Sequence, residues 1–450
     1  MGTQSLLLRG RRLHLYGAAG FTLRGHSLHF CGGAVFTFAD PQASQETVEM
    51  MGSPFRSCMV FLIRQRPGYV FDNDGREDVT MKRAIAIGLV LTLLLSTETF
   101  GASQSSTGSE SAVIETTAAA EEARTPVAGV EIPITDLEPL MIGQMEDKEA
   151  GTGCTVLVCR DGMRAGLDIR GGGPASRESQ LLDPLTSAQF IHAIVLSGGS
   201  AYGLGTANGV MSYLEEHGIG YDTGVALVPL VAQSDIFDLS VGDGTVRPDA
   251  DMGYQAAKYA FEAPNYQDGN YGVGCGASVG KIAGMDYAMK TGIGSYAVQI
   301  GDLKIGAIVV VNALGDIYDW KTGQQVAGLL TGDKTGLRST MDYMSASIEA
   351  RENKFTGNTT LAVVVTNAEF SKPQLCKIAG LAHNGYARSI NPVHTSADGD
   401  SIYAVSVGNV NADQDLVGSL AAEVVSEALL RSVYNSESAY GLPAASDLGQ

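Results

Sequence analysis

The hydrophobic pattern changes character near residue 130. From Pro133 onward, short β-branched runs alternate with glycine-rich turns and with stretches of helical spacing. That pattern predicts a single compact α/β domain. Residues 155–158, 165–170 and 191–196 read as strands. Beyond Ser197, the apolar positions Leu204, Ala207, Val210, Met211 and Leu214 recur at helical spacing, and His217-Gly218 supplies a stop signal. The runs 228–231 and 236–239 follow, then a helix over 252–261. Residues 294–298, 303–305 and 308–311 read as successive strands. A polar, mobile-looking segment over 322–356 leads into 361–365, an unbroken apolar run typical of a buried strand. Ser371 and Gln374 stand at capping-box spacing before a helix over 375–389. A strand over 401–407 and a helix over 416–434 complete the pattern.

The first 130 residues differ. Residues 1–80 hold eight Arg, no Lys and three of the seven His, with no sustained hydrophobic period. Met81-Lys82-Arg83 then opens a run of about a dozen apolar residues ending at Leu95, and Thr99-Phe100-Gly101-Ala102 offers small residues for cleavage. This fits a secretory signal peptide over 81–102; the run is too short for a membrane anchor. The alternative is an internal buried helix. A Ser/Thr/Ala/Glu-rich linker occupies 103–130. A signal peptide belongs at the start of a protein, so 1–80 reads as a misassigned start or an extension outside the fold. The expected location is the periplasm or the cell exterior, with the functional domain over 131–450.

Charge narrows the partners. From residue 103 the chain carries 20 Lys+Arg against 41 Asp+Glu. That excess argues against nucleic acid and anionic membrane surfaces. Cys154 and Cys159 lie five apart in one strand, so their side chains face opposite ways and do not pair with each other. No Cys/His cluster indicates a metal, and no cofactor is implied.

Several residues carry candidate chemistry, each with a plainer reading beside it. Gly198, Gly199 and Ser200 end a strand and precede a helix, where backbone N–H groups can hold an oxyanion or substrate; Ser200 alternatively only makes the turn. The stretch Gly272 to Lys281 approaches a phosphate loop, but Cys275 and Ile282 break the pattern. Lys281 is either a surface lysine or a buried charge aimed at a site. Asn312 ends a strand as a turn former or an oxyanion donor. His383 and Arg388 sit on a helix where structural roles are commoner. Asp398 and Asp400 flank a glycine, as an ordinary turn or as two carboxylates beside a nucleophile. In Thr356-Gly357-Asn358-Thr359-Thr360, a polar turn delivers two threonines to the start of a core strand. Cleavage of the chain between Asn358 and Thr359 would make Thr359 a new N-terminus, with an amine beside its hydroxyl.

Nine stretches, in order, resemble the L-aminopeptidase/D-esterase (DmpA) family, most closely its nylon-oligomer hydrolase branch. They are Gly151 to Val156, Arg170 to Pro174, Ser197 to Leu204, Gly272 to Lys281, Val311 to Ala313, Asn358 to Thr360, Thr366 to Ala368, Ala382 to Gly385 and Pro392 to Asp400. The resemblance implies a four-layer αββα sandwich, made as a precursor. Self-cleavage would give an α chain ending at Asn358 and a β chain starting at Thr359, held together in a homo-oligomer. It implies Thr359 as nucleophile, Lys281 near it, Asn312 on the oxyanion side, and Asp398 and Asp400 positioning or activating the nucleophile. The separations of 39 and 41 residues from Thr359 to the two aspartates match the nylon-oligomer branch and select Thr359 over Thr360. Two departures stand out. Phe237 replaces a tyrosine of the relatives, and Asn384 an aspartate.

The function expected is an exported, self-activated amidase or aminopeptidase acting on small peptides or amino-acid amides. The competing readings are an acyltransferase on the same fold, separable by product analysis with added amines, and a non-catalytic binding protein, marked by an uncut chain.

Overall fold

The computed structural model describes residues 129–346 and 357–449 in full, and the backbone alone of six short strands between Gln4–Leu8 and Glu46–Val48. Those leader strands pair antiparallel, within a unit (Met1–Thr117) separate from Ala118–Gln450. The expected signal peptide and residues 347–356 lie outside the described residues, as does the expected linker up to residue 128.

The C-terminal unit is built on a mixed sheet flanked by helices. Its strands are β1 (Val130–Ile132), β2 (Met141–Asp147), β3 (Thr152–Ile169), β4 (Ala175–Arg177), β5 (Ile191–Ser197), β6 (Val231–Asp235), β7 (Ile293–Ile300), β8 (Leu303–Asn312), β9 (Thr359–Ala368) and β10 (Ser401–Val410). The order across the sheet is β4-β6-β5-β3-β10-β9-β8-β7-β1, with β2 also on β3. The β5–β6 and β9–β10 pairs are parallel; the others are antiparallel.

The 18-residue strand β3 joins the two halves of this sheet. Its first part pairs with β2 and β5, and its last part with β10. The sequence predicted two strands here. The polar Arg160, Asp161 and Gly162 between them look like a turn, but the structure carries them through as continuous strand.

Alternation along the strands shares their apolar residues among three cores. Leu361, Val363 and Val365 of β9 pack with Ile194 and Leu196 of β5 between the two half-sheets. Ala362 and Val364 turn the other way, against the helices α3 (Lys372–Ser389) and α4 (Gln414–Tyr434). Ala193 and Val195 of β5 face α1 (Thr206–Glu216) and α2 (Ala250–Glu262). Cys154 belongs to this last core and Cys159 to the central one, so the two cysteines point apart as their spacing requires, and both are free.

Local signals position most ends. Ser371 and Gln374 form the capping box, and α3 begins at Lys372 rather than 375. The stop after α1 falls at Gly218, whose φ of 71° suits glycine. Two expectations change. The strand near Val231 runs through Gln233, Ser234 and Asp235, polar residues that are nonetheless buried. They are tolerated because Gln233 donates to the Gly203 carbonyl and to Asp235, and Ser234 hydrogen-bonds Tyr403. The polar segment after 322 also packs: Val326, Ala327, Leu329 and Leu330 are buried in short strands.

Candidate active site

The end of β8 and the start of β9 are adjacent and antiparallel, so Asn312 lies directly opposite Thr359. One residue earlier, Asn358 forms a parallel bridge with Asp398. The sheet thus brings three distant segments to one point. Lys281 enters from a short 3-10 turn just after Gly280. Lys281, Asn312, Asn358, Thr359, Asp398 and Asp400 are all buried, none more than 3% exposed.

Around Thr359 the contacts are dense. Its Oγ1 donates to the carbonyl oxygen of Asn358 at 2.5 Å. The same oxygen accepts the Gly399 N–H at 2.9 Å. The Asn358 side chain donates to the Ala397 carbonyl at 3.3 Å. The peptide bond between Asn358 and Thr359 is therefore held from both sides, with a hydroxyl beside it and an N–H on its oxygen.

Lys281 Nζ donates to Asn312 Oδ1 at 2.7 Å, to the Asn312 carbonyl at 3.2 Å and to the Gly357 carbonyl at 2.9 Å. Burial pushes its pKa down to about 7, against the opposing pull of Asp398 and Asp238. Of the two readings open for Lys281, the structure gives the buried charge, and at that pKa its ammonium can give or take a proton near neutral pH. Asn312 is orientated by four partners. Its Oδ1 accepts from Lys281 and from the Ser278 N–H, while its Nδ2 donates to the carbonyls of Phe237 (3.0 Å) and Gly357 (3.4 Å).

The two aspartates hold the other wall. Asp398 accepts from the Leu314 N–H, the Thr395 N–H and the Thr395 hydroxyl. Burial, and then the charge of Asp400, push its pKa up to about 6. Asp400 Oδ1 accepts the Thr360 N–H at 2.8 Å, gripping β9 one residue past Thr359. Its Oδ2 faces His394 at 2.8 Å. The glycines after Arg170 brace this turn from behind: Gly171 donates to the Asp400 carbonyl and Gly173 to the Asp398 carbonyl.

Gly198, Gly199 and Ser200 do not present free N–H groups. They donate to the Gly153 carbonyl, to Asp238 Oδ1 and to the Ile236 carbonyl. Ser200 opens a 3-10 turn at φ 53°. The loop instead supports Asp238, which also accepts the Thr152 hydroxyl at 2.6 Å. Asp238, whose pKa burial raises, acts electrostatically on Lys281. The sequence reading missed Asp238, Gly399 and His394. The first stood unremarked within the 236–239 run, the second contributes only its main chain, and the third stood unremarked within a quoted motif. His383 is buried on α3, its Nε2 3.0 Å from the Asp168 carbonyl. Among the described residues, no group of three or more His, Cys, Asp or Glu is arranged to hold a metal ion.

Comparison with known proteins identifies the family and the fold. The sequence model of Peptidase family S58 matches residues 125–445. An uncharacterized aminopeptidase of Mycobacterium leprae (strain TN) is 36% identical over 337 residues, covering 69% of this chain and 92% of the relative. A 6-aminohexanoate-oligomer endohydrolase of Kocuria sp. (strain KY2) is 32% identical over 316 residues, covering 66% and 84%. Among solved structures, the L-aminopeptidase D-Ala-esterase/amidase from Ochrobactrum anthropi, described as a variant of the Ntn hydrolase fold, aligns with a TM-score of 0.52. It is 18% identical and covers 69% of this chain and 89% of that one. The Burkholderia sp. β-aminopeptidase aligns with a TM-score of 0.51 at 18% identity, covering 72% and 95%. The chain belongs to Peptidase family S58, the L-aminopeptidase/D-esterase (DmpA) family, and is a hydrolase with an Ntn-hydrolase-like α/β fold.

Proposed function

We propose that the chain is an exported precursor that cuts itself between Asn358 and Thr359. Thr359 then acts as an N-terminal nucleophile on amide bonds of small peptides or amino-acid amides. The observation that carries this reading is the Thr359 hydroxyl lying 2.5 Å from the carbonyl oxygen of its own preceding residue, an oxygen that also accepts the Gly399 N–H.

The chemistry follows from that placement. The Thr359 Oγ attacks the Asn358 carbonyl carbon and loses its proton. Charge develops on the carbonyl oxygen, where the Gly399 N–H stabilises it. The bond from that carbon to the Thr359 nitrogen breaks and the nitrogen takes a proton. An ester between Asn358 and the Thr359 oxygen remains, and water hydrolyses it. The product is an α chain ending in a carboxylate and a β chain with a free amine at Thr359. A free α-amino group has a pKa of roughly 7.7–8.0, so it can serve as base for its own hydroxyl in later turnovers. Lys281 lies on the Gly357 side of the cut, where its depressed pKa lets it give or take a proton near neutrality. Asp400 fixes the strand through Thr360, and Asp398 the turn.

Acyl transfer to an amine on the same site is the second reading, and it shares the acyl-enzyme. The oligomer of αβ units and the periplasmic or extracellular location remain part of the proposal, resting on the family resemblance and on residues 81–102. The deciding experiment is a denaturing gel with N-terminal sequencing of the purified protein. Two chains, the smaller beginning at Thr359, support the reading. One intact chain overturns it, and so does continued cleavage in Thr359→Ala.

A further inference from the structure

Asp400 is gripped from two directions, and only one belongs to the nucleophile strand. Oδ1 takes the Thr360 N–H at 2.8 Å. Oδ2 takes both the main-chain N–H of His394, at 3.1 Å, and its ring Nδ1, at 2.8 Å. One residue thus addresses a single carboxylate oxygen twice. To do so His394 adopts a φ of 57°, a left-handed conformation that a non-glycine residue rarely takes without a local reason.

The ring is locked by its surroundings. His383 of α3 packs edge-on against it with centroids 4.7 Å apart, and Tyr386 lies 6.1 Å away. His383 is itself held through the Asp168 carbonyl. The titratable or charged groups facing this cluster are Asp400 from the same loop, His383 and Tyr386 from α3, Asp168 at the end of β3 and Arg170 just past it. Among the described residues, His394 Nε2 and His383 Nδ1 are both buried without a hydrogen-bond partner. A carboxylate oxygen accepts, so Nδ1 carries a proton and donates it to Asp400 Oδ2.

We propose that His394 is a positioning residue for the reaction. Its Nδ1–H orients the Asp400 carboxylate, and through the Thr360 N–H it sets where the Thr359 hydroxyl stands relative to the Asn358 carbonyl. The proposal rests on the self-cleavage reading and deepens it: the histidine touches no reacting atom and acts only through Asp400.

Two substitutions separate the ring from the backbone. His394→Gly removes the ring, keeps the main-chain N–H and accepts the positive φ. His394→Asn keeps a side-chain N–H donor near the position of Nδ1 and also tolerates that φ. The full chain is made by cell-free synthesis, and the appearance of the fragment beginning at Thr359 is timed on denaturing gels, with melting temperatures measured alongside. His394→Gly is expected to slow cleavage about 10- to 100-fold, the value of one hydrogen bond to a charged group. His394→Asn is expected to recover the wild-type rate to within about 5-fold, as retention of that donor predicts. Wild-type speed in His394→Gly overturns the proposal while leaving self-cleavage intact. An Asn variant as slow as the Gly variant, at matched melting temperatures, overturns it too. An uncut wild-type chain overturns self-cleavage itself and this proposal with it, and is told apart because the failure appears before any substitution.

Discussion

At the scale of single residues, two threonines stand side by side and only one sets its hydroxyl on the Asn358 carbonyl. Thr359 Oγ1 lies against the Asn358 carbonyl, whereas Thr360 contributes its N–H to Asp400. Strand alternation turns the two side chains to opposite faces. Thr359→Val is therefore expected to leave the chain intact, and Thr360→Val to be cut; mass spectrometry of the two variants checks this. Asp398 shows the cost of such a site. Its carboxyl pKa is raised to about 6 in the folded protein, so the folded state binds a proton that the unfolded chain has released. The penalty is absent below the unfolded value, near 4, grows as pH rises and is complete above about 6. It amounts to about 2–3 kcal/mol. Asp398→Asn should then lose cleavage, and its melting temperature relative to an uncut Thr359→Ala reference should rise between pH 4 and pH 8, whatever constant offset the altered hydrogen bonds to Leu314 and Thr395 add. Thermal melts of the two uncut variants across that range test the sign.

Among elements, the turn carrying Asp398 and Asp400 depends on the glycines that brace it. A Cβ on Gly171 would fall 2.3 Å from the Asp400 nitrogen and 2.5 Å from the Asp398 carbonyl oxygen. Both obstacles are main chain and cannot swing aside. Gly171→Ala should lower the melting temperature and slow cleavage together, because the displaced turn holds Thr360 and the Asn358 carbonyl. The strand β9 itself needs its apolar face. Leu361 is fully buried between the half-sheets, and Leu361→Ala is expected to cost about 2–5 kcal/mol, read from denaturant unfolding. Much at this scale was readable in advance. The β-branched run after Thr360, the capping box at Ser371 and the helical spacing after Leu204 are local signals, and each gave its element. The run through Gln233, Ser234 and Asp235 was not readable as strand, since its polar residues become acceptable only with partners from Gly203 and Tyr403. Likewise the joint at Arg160 to Gly162 looks like a turn until β3 is seen spanning both half-sheets.

For the whole molecule, a cut after Asn358 would separate strands that are neighbours. From the β chain, β9 pairs with β8, and β10 pairs with β3, both of the α chain. The central core draws on both pieces as well. The two chains should therefore co-elute on native size exclusion and part only in denaturant, which a column run with and without urea decides. The sequence by itself determined the family and the order of the chemistry along the chain. Glycine spacing, strand runs and the Asp-Gly-Asp turn are local patterns that survive without a partner. Only the tertiary structure decided what those residues are. It buried Lys281 and so lowered its pKa, set Asn312 opposite Thr359, engaged the N–H groups of Gly198 to Ser200 elsewhere, and placed His394 on Asp400. Burial, register and hydrogen-bond partners depend on segments dozens of residues apart meeting across a sheet, and no local pattern encodes that meeting.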